Sequence, residues 1–195
     1  TRTLTGLIPQ VNIKHSNDSY YVPSESDYQS YTRLDLFLQH YTYSRSALRD
    51  IYPRWGYRIL LALRSMPFDS ENFGTMYGAR LTAYTPGLFA NHGLKLSGSI
   101  QRQDVKRYYM SNLMSFPRGY NSFPSKELQL FSADYAFPVA YPDFNIGSLL
   151  YFKRFRLNLF TDIAQNTYYG QNATVKANPF SYGVDIIADY HIAQK

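Results

Sequence analysis

The sequence contains no cysteine, and only one of its 195 residues is tryptophan. Without cysteine the chain has no disulfide framework, thiol nucleophile or thiolate metal site. No stretch approaches the roughly 18 consecutive apolar residues that a membrane-spanning helix needs. Helical spans are therefore excluded, whereas strands that cross a membrane are not, because their sequence signal is much weaker.

Recognisable catalytic and metal-binding motifs are absent as well. The four histidines, His15, His40, His92 and His191, lie in separate segments without the short spacing of a metal site. There is no G-x-S-x-G sequence and no glycine-rich phosphate loop. His191 is the one candidate base for a lipid-hydrolase barrel, and no nucleophile motif accompanies it. We therefore expect no enzyme activity, no metal and no cofactor.

Charge gives a weaker indication of the partners. Lysine and arginine number 20 against 14 aspartates and glutamates, for a net charge of +6. These basic residues are spread along the chain without forming a run, so we do not expect a nucleic-acid partner. A polar barrel interior or an anionic lipid surface explains the positive charge equally well.

Aromatic residues are abundant, with 20 tyrosines and 13 phenylalanines. Such residues favour β-strands. Tyrosine also suits membrane interfaces, where an amphipathic ring sits well at headgroup level. Many of these rings flank the strand ends predicted below, as aromatic girdles do. Composition alone is equally compatible with a tyrosine-rich soluble sandwich.

Eight segments alternate apolar and polar residues with a period of two, which predicts strands with two unlike faces. In the clearest segment, Leu94, Leu96 and Ile100 fall on one face, and Lys95 and Gln101 fall on the other. The first segment is interrupted by a proline, and the alternation of 127–137 is less regular. The eight predicted strands cover residues 4–14, 33–42, 57–65, 76–85, 94–103, 127–137, 155–163 and 182–192.

The connections between these segments alternate in length. The longer, polar ones cover 15–30, 66–74, 104–125 and 165–181, and the mostly shorter ones cover 44–56, 86–92 and 138–146. This alternation is typical of a membrane barrel with long loops on one side. We predict an all-β, antiparallel, up-and-down transmembrane β-barrel with about eight strands, forming one domain over 1–195. Its predicted interior-lining residues are Arg80, Lys95, Arg154, Arg156, Asn158, Asp185 and Asp189.

Two short motifs indicate which kind of barrel this is. Arg118-Gly119-Tyr120 lies in the longest loop, and Phe160-Thr161-Asp162 lies near the end of a predicted strand. By alternation, Asp162 falls on the polar face. A guanidinium confined inside a barrel needs a carboxylate with matching fork geometry. Gly119 allows a close backbone approach, and Tyr120 can fill space while its hydroxyl stays bonded.

This arrangement resembles the sixth extracellular loop of the BamA/TamA-type outer-membrane assembly factors, the bacterial surface antigen barrels. In that family the loop folds back into the barrel. Its Arg-Gly-aromatic tip packs on the inner wall beside the acidic residue of a Phe-x-Asp motif. The resemblance implies a latch made of Arg118, Gly119, Tyr120, Phe160 and Asp162.

The resemblance also implies that the chain is part of a larger barrel. Aligned on the loop, it corresponds to about half of a sixteen-stranded family barrel, without the periplasmic POTRA repeats. An isolated half-barrel leaves two edges unpaired, which lipid does not tolerate. We therefore expect these edges to pair with the remainder of the barrel or another copy, or to close a small eight-stranded barrel.

The function that the resemblance implies is insertion or translocation of proteins at the bacterial outer membrane, with no bond chemistry. The implied partners are outer-membrane lipid, substrate outer-membrane proteins and accessory lipoproteins. Two alternatives stay open. One is a passive pore or transport barrel, and the other is a barrel that anchors or exports an attached passenger domain.

Overall fold

The computed structural model describes residues 3–16, 19–21, 26–28, 31–44, 50–142, 144–147, 150–169 and 173–192. Within these ranges the chain forms strands, turns and loops, and none of it is helical, so no helix there could cross a membrane. The strands are β1 (Thr3–Ser16), β2 (Ser19–Tyr21), β3 (Ser26–Tyr28), β4 (Tyr31–Ser44), β5 (Gly56–Ser65), β6 (Met76–Pro86), β7 (Gly93–Gln103), β8 (Glu127–Ala140), β9 (Phe144–Ile146), β10 (Leu150–Tyr169), β11 (Thr174–Ala177) and β12 (Phe180–Ile192).

Ten of these strands form one antiparallel sheet in which each long strand pairs with the next one along the chain. The order is β1-β4-β5-β6-β7-β8-β10, with β12 and β11 following one another along the far side of β10. The short β9 pairs with the start of β10, and β2 pairs with β3 in a separate two-stranded sheet. Among the described residues the sheet is open, with β1 and β12 at its two edges.

The prediction of an all-β, antiparallel, up-and-down arrangement is thus confirmed, and all eight predicted strands are present. The prediction of a loop over 165–181 was wrong in part. Residues up to Tyr169 continue β10, and β11 pairs back onto them with Thr167 opposite Lys176. The Thr-Tyr-Tyr sequence at 167–169 favours strand, and cross-strand pairing extends it beyond the apolar alternation. Two other predicted connections contain the short strands β2, β3 and β9, and parts of 15–30 lie outside the described residues.

The sheet exposes its apolar face and buries its polar face. Large apolar side chains stand on the exposed face, including Leu61 at 48%, Leu81 at 53% and Ile100 at 53% exposure. On the other face, polar side chains are buried, with Asp35 at 3% and Gln101 at 1%. A half-buried antiparallel sheet in water normally buries its apolar side. Here the polar face is the covered one.

The segment 104–126, termed the in-folded loop, covers that polar face. Strand side chains satisfy its backbone: the Gln101 amide oxygen accepts hydrogen bonds from the backbone N–H groups of Leu113 at 2.7 Å and Met114 at 2.9 Å. The Gln103 side chain accepts from the Met110 N–H at 3.1 Å and donates to the Ser125 carbonyl at 2.7 Å. Since buried backbone groups need partners, these glutamines let a loop lie on the sheet.

The in-folded loop begins at an apolar cluster at one end of the sheet, where it meets the connection 66–75. The cluster contains Tyr31, Met66, Phe73, Met76, Tyr108 and Met110. The two segments touch through their backbones, and the N–H of Asp104 donates to the Thr75 carbonyl at 2.9 Å. A Cβ at Gly74 would lie 1.8 Å from the Asp104 carbonyl oxygen. Glycine is therefore required at this crossing.

Gln101→Leu tests whether strand side chains hold the loop. The substitution leaves two buried N–H groups without an acceptor, at a cost of about 1–3 kcal/mol each. We expect faster hydrogen exchange at Leu113 and Met114 and easier proteolysis of the loop. Gln129→Leu is the matched control, because Gln129 stands on the neighbouring strand with its side chain on the exposed face. Equal exchange rates in the two variants would show that the glutamine is not an anchor.

Candidate functional site

The candidate site forms where the tip of the in-folded loop meets β8, β10 and β12. Asp134 of β8 lies opposite Phe160 of β10, and Asp162 lies opposite Ser132. Phe160 and Asp162 are two residues apart on one strand and therefore share a face. The cross-strand register thus places two carboxylates and one aromatic ring together beneath the loop.

Arg118 joins the loop to both carboxylates. Its Nε donates to Asp162 Oδ2 at 2.8 Å and its Nη2 donates to Asp162 Oδ1 at 2.7 Å, forming a two-pronged contact. The backbone N–H of Arg118 also donates to Asp162 Oδ2, at 2.9 Å. On its other side, Nη1 donates to Asp134 Oδ1 at 2.7 Å. Paired charge-assisted hydrogen bonds of this kind are stronger and more directional than neutral ones.

Phe160 supplies the surface on which the guanidinium lies. The Arg118 Cζ is 3.7 Å from the centre of the Phe160 ring, which is a cation–π contact. The ring in turn lies over Gly183, directly opposite it on β12. A Cβ on Gly183 would be 2.7 Å from Phe160 Cζ. Phe160 and Asp162 therefore both contact Arg118, one by stacking and the other by hydrogen bonds.

The other two residues of the tripeptide complete the turn at the loop tip. Gly119 has a φ of 81°, a left-handed conformation that glycine adopts without steric cost. The Tyr120 hydroxyl donates to the carbonyl of Phe180 at 3.0 Å, although the side chain is 48% exposed. The tip therefore reaches β12 as well as β8 and β10.

Charges around Arg118 are closely balanced. Lys95 Nζ lies 3.1 Å from Asp134 Oδ2, and the side chains of Asp134 and Asp162 are only 3% and 2% exposed. Asn158 Nδ2 donates to Asp134 at 2.9 Å. Hydrogen bonding to Asp162 raises the pKa of Arg118 above its ordinary value. Two partly exposed cations thus neutralise two buried carboxylates, a condition that buried charges must meet.

The remaining predicted interior residues lie in three places: beside Arg118, in a second ion cluster around Asp189, and at a separate contact with the loop. Asn158 also donates to Asp185 Oδ2 at 3.0 Å, and Asp185 lies 3.9 Å from Arg118. Arg154 and Arg156 instead share Asp189, at 2.6 and 3.3 Å. Arg80 contacts the loop separately through Ser115.

Two important contributors were not predicted from the sequence. Asp134 lies in the strand whose alternation is irregular, although it follows Leu128, Leu130 and Ser132 on the same face. A second bidentate pair joins Arg64 of β5 to Asp35 of β4 at 2.6 and 3.0 Å. Arg64 also donates to the Ser111 carbonyl at 2.6 Å and thereby holds the loop well before its tip. The only sign of Asp134, Arg64 and Asp35 in the sequence was that each is a charged residue within a predicted strand.

Comparison with protein-family models, curated proteins and solved structures finds no match. In the part of the chain that the structure describes, no three histidine or acidic side chains come together as a possible metal site. The charged groups of the site form ion pairs with one another. This geometry supports a role in holding the in-folded loop on the sheet.

The Arg118–Asp162 contact can be measured by a double-mutant cycle. We expect Arg118→Ala and Asp162→Ala to be coupled by roughly 2 kcal/mol, because each removes the same fork. The free energy of loop opening, obtained from hydrogen exchange of loop amides, is the readout. Asp185→Ala is the control, since its carboxylate lies 3.9 Å away and is 44% exposed. Coupling to Asp185 as strong as that to Asp162 would contradict the assignment.

Gly183→Ala tests the support beneath Phe160. The added methyl group pushes the ring towards Arg118, and we expect a loss of about 1–3 kcal/mol of stability from this overpacking. Gly98→Ala is the control, because a Cβ there meets nothing within 4 Å. Thermal melting of both variants is the measurement, and an unchanged Gly183→Ala would mean that Phe160 is not packed as described.

Proposed function

We propose that this chain forms part of the wall of a bacterial outer-membrane β-barrel of the assembly-factor type, which inserts or translocates other proteins. The observation that carries the proposal is the in-folded loop, whose Arg118 is held by Asp162 and stacked on Phe160. An Arg-Gly-aromatic tip on a Phe-x-Asp strand is the feature on which the resemblance to the BamA/TamA-type barrels is based.

The exposed apolar face of the sheet supports a location in the membrane. Lipid is the natural environment for a sheet whose exposed face carries leucine, isoleucine and phenylalanine. β5, β6 and β7 contain 10, 11 and 11 residues, and a tilted membrane strand needs about 9–11. Exposed aromatics stand beyond the strand ends, with Trp55 and Phe89 on one side and Phe68 on the other. These positions suit an aromatic girdle.

The open edges support membership of a larger barrel. Val11 on β1 is 62% exposed, and Ile186 on β12 is 81% exposed. Unpaired backbone at such edges is costly in lipid, where no water replaces the missing hydrogen bonds. We propose that further strands pair with both edges, supplied by the rest of a sixteen-stranded barrel or by another copy. In this barrel the Arg118 latch holds the loop against the inner wall and takes no part in bond chemistry.

A passive pore is the second candidate function. The polar face carries several charged side chains, among them Arg80, Arg154 and Arg156, which would line a channel and tune its ion selectivity. Single-channel recording separates the candidates, since a steady, ohmic, large conductance favours the pore.

Arg118→Ala tests the assembly function directly. We expect the closed barrel that contains this chain, reconstituted in liposomes, to insert an unfolded barrel substrate roughly tenfold more slowly, because a smaller fraction of molecules holds the loop in its docked state. The heat-dependent gel mobility of the substrate measures insertion. Arg102→Ala is the control, as Arg102 pairs with Glu127 at an exposed position. Wild-type insertion together with wild-type protease resistance in Arg118→Ala would count against the proposal.

A further inference from the structure

Two arginines, Arg64 on the sheet and Arg118 in the in-folded loop, hold carboxylates in the same way. Arg64 uses Nε and Nη2 to grip Asp35, at 2.6 and 3.0 Å. Arg118 uses the same pair of atoms to grip Asp162, at 2.8 and 2.7 Å. The Nε–Nη2 edge of a guanidinium matches the spacing of two oxyanion oxygens.

Arg80 lies between these two sites on the same face, and the Nε of its corresponding edge is unpartnered among the described residues. Its Nε is buried and has no hydrogen-bond partner among the described residues. Its Nη2 donates to Ser115 Oγ at 2.8 Å, which leaves the second Nη2 hydrogen for another acceptor. A buried donor without an acceptor is unfavourable, and more so when it is charged.

Among the described residues, no carboxylate neutralises the charge around Arg80. Arg58 faces Thr82, and Leu60 faces Arg80, so that Arg58 and Arg80 are diagonal neighbours on the same face. No carboxylate lies within 4.0 Å of either arginine in the described ranges. By contrast, Lys95 and Arg118 are matched by Asp134 and Asp162. Within the described part of the polar face, these two adjacent positive charges have no carboxylate partner.

Space for a ligand adjoins the Arg80 side chain. A cavity of about 270 Å³ is bordered by Arg80 and by the hydroxyl-bearing Ser97, Ser115 and Ser132. Asp134 and Asp162 also border the cavity, but Lys95 and Arg118 already neutralise them. The Ser132 hydroxyl is hydrogen-bonded to Asp162, so Ser97 and Ser115 are the hydroxyl donors beside the guanidinium that suit anionic oxygens.

We propose that Arg80, assisted by the charge of Arg58, forms a binding site for a small oxyanion with two adjacent oxygens, of the phosphate type. The anion accepts a hydrogen bond from the remaining Nη2 hydrogen of Arg80 and, once the side chain turns its covered Nε towards the cavity, from Nε as well, as the aspartates do at Arg64 and Arg118. The phosphate group could come from a free ion or from a phospholipid headgroup. This site goes beyond the proposed function, and its occupancy can be measured without any insertion assay.

The first test titrates inorganic phosphate into the full chain in detergent at constant ionic strength, with chloride as the balancing anion. We expect measurable heat for the wild type and roughly tenfold weaker binding for Arg80→Gln, because a charge-assisted fork is lost. Arg80→Lys keeps the positive charge but lacks the fork, and we expect weaker binding for it too. Arg102→Gln is the control and should bind phosphate as the wild type does.

A second arm identifies the source of the anion. Dihexanoyl phosphatidylglycerol, kept below its micelle concentration, should compete with inorganic phosphate if a headgroup can enter, and should fail to compete if only free ions can. Circular dichroism and protease resistance establish that each variant is folded. Equal phosphate binding by the wild type, Arg80→Gln and Arg80→Lys would overturn the proposal. So would a wild type that shows no phosphate binding against the chloride background.

Discussion

The structure depends on the ion pairs that one guanidinium forms with two buried carboxylates. Asp134 and Asp162 are almost completely shielded from water, so that either one without a cation would destabilise the fold by several kcal/mol, as unpaired buried charges do. Arg118 removes that penalty together with Lys95, which pairs with Asp134, and, being part of a loop, fixes the loop tip to two strands at once. Phe160 fills the space between this ion cluster and Gly183, and thereby links the cluster to the next strand.

Around this contact the sheet has a polar interior where most small domains have an apolar one. The in-folded loop replaces a second layer of secondary structure, and hydrogen bonds with Gln101, Gln103 and Arg64 hold it together with the apolar cluster at its start. Such bonds are directional, so the loop has a defined position relative to β5, β7, β8 and β10. A wall of this kind can remain rigid inside while its outer face meets an apolar environment, which is what the proposed barrel function requires.

Much of the fold could be predicted because alternation with period two is a local property of each strand. The eight long strands and their two faces follow from it, and so does the placing of Asp162 on the polar side. The end of β10 could not be predicted in this way. Its residues 165–169 are polar or aromatic without a regular apolar alternation, and they are strand because they pair with β8 on one side and β11 on the other. Asp134 was missed for a related reason, since its importance comes from lying diagonally across from Asp162 on another strand.

The sequence by itself determined which residues share a face and which loop carries the arginine, because both depend on neighbours along the chain. The tertiary structure decided which partner each charged residue has. Arg118 meets two aspartates, Arg64 takes Asp35, and Arg80 is left with a hydroxyl. These choices depend on strand register and on the path of the in-folded loop across the sheet. Both bring together residues that are far apart in sequence, and the residue pattern alone does not encode the distances between them.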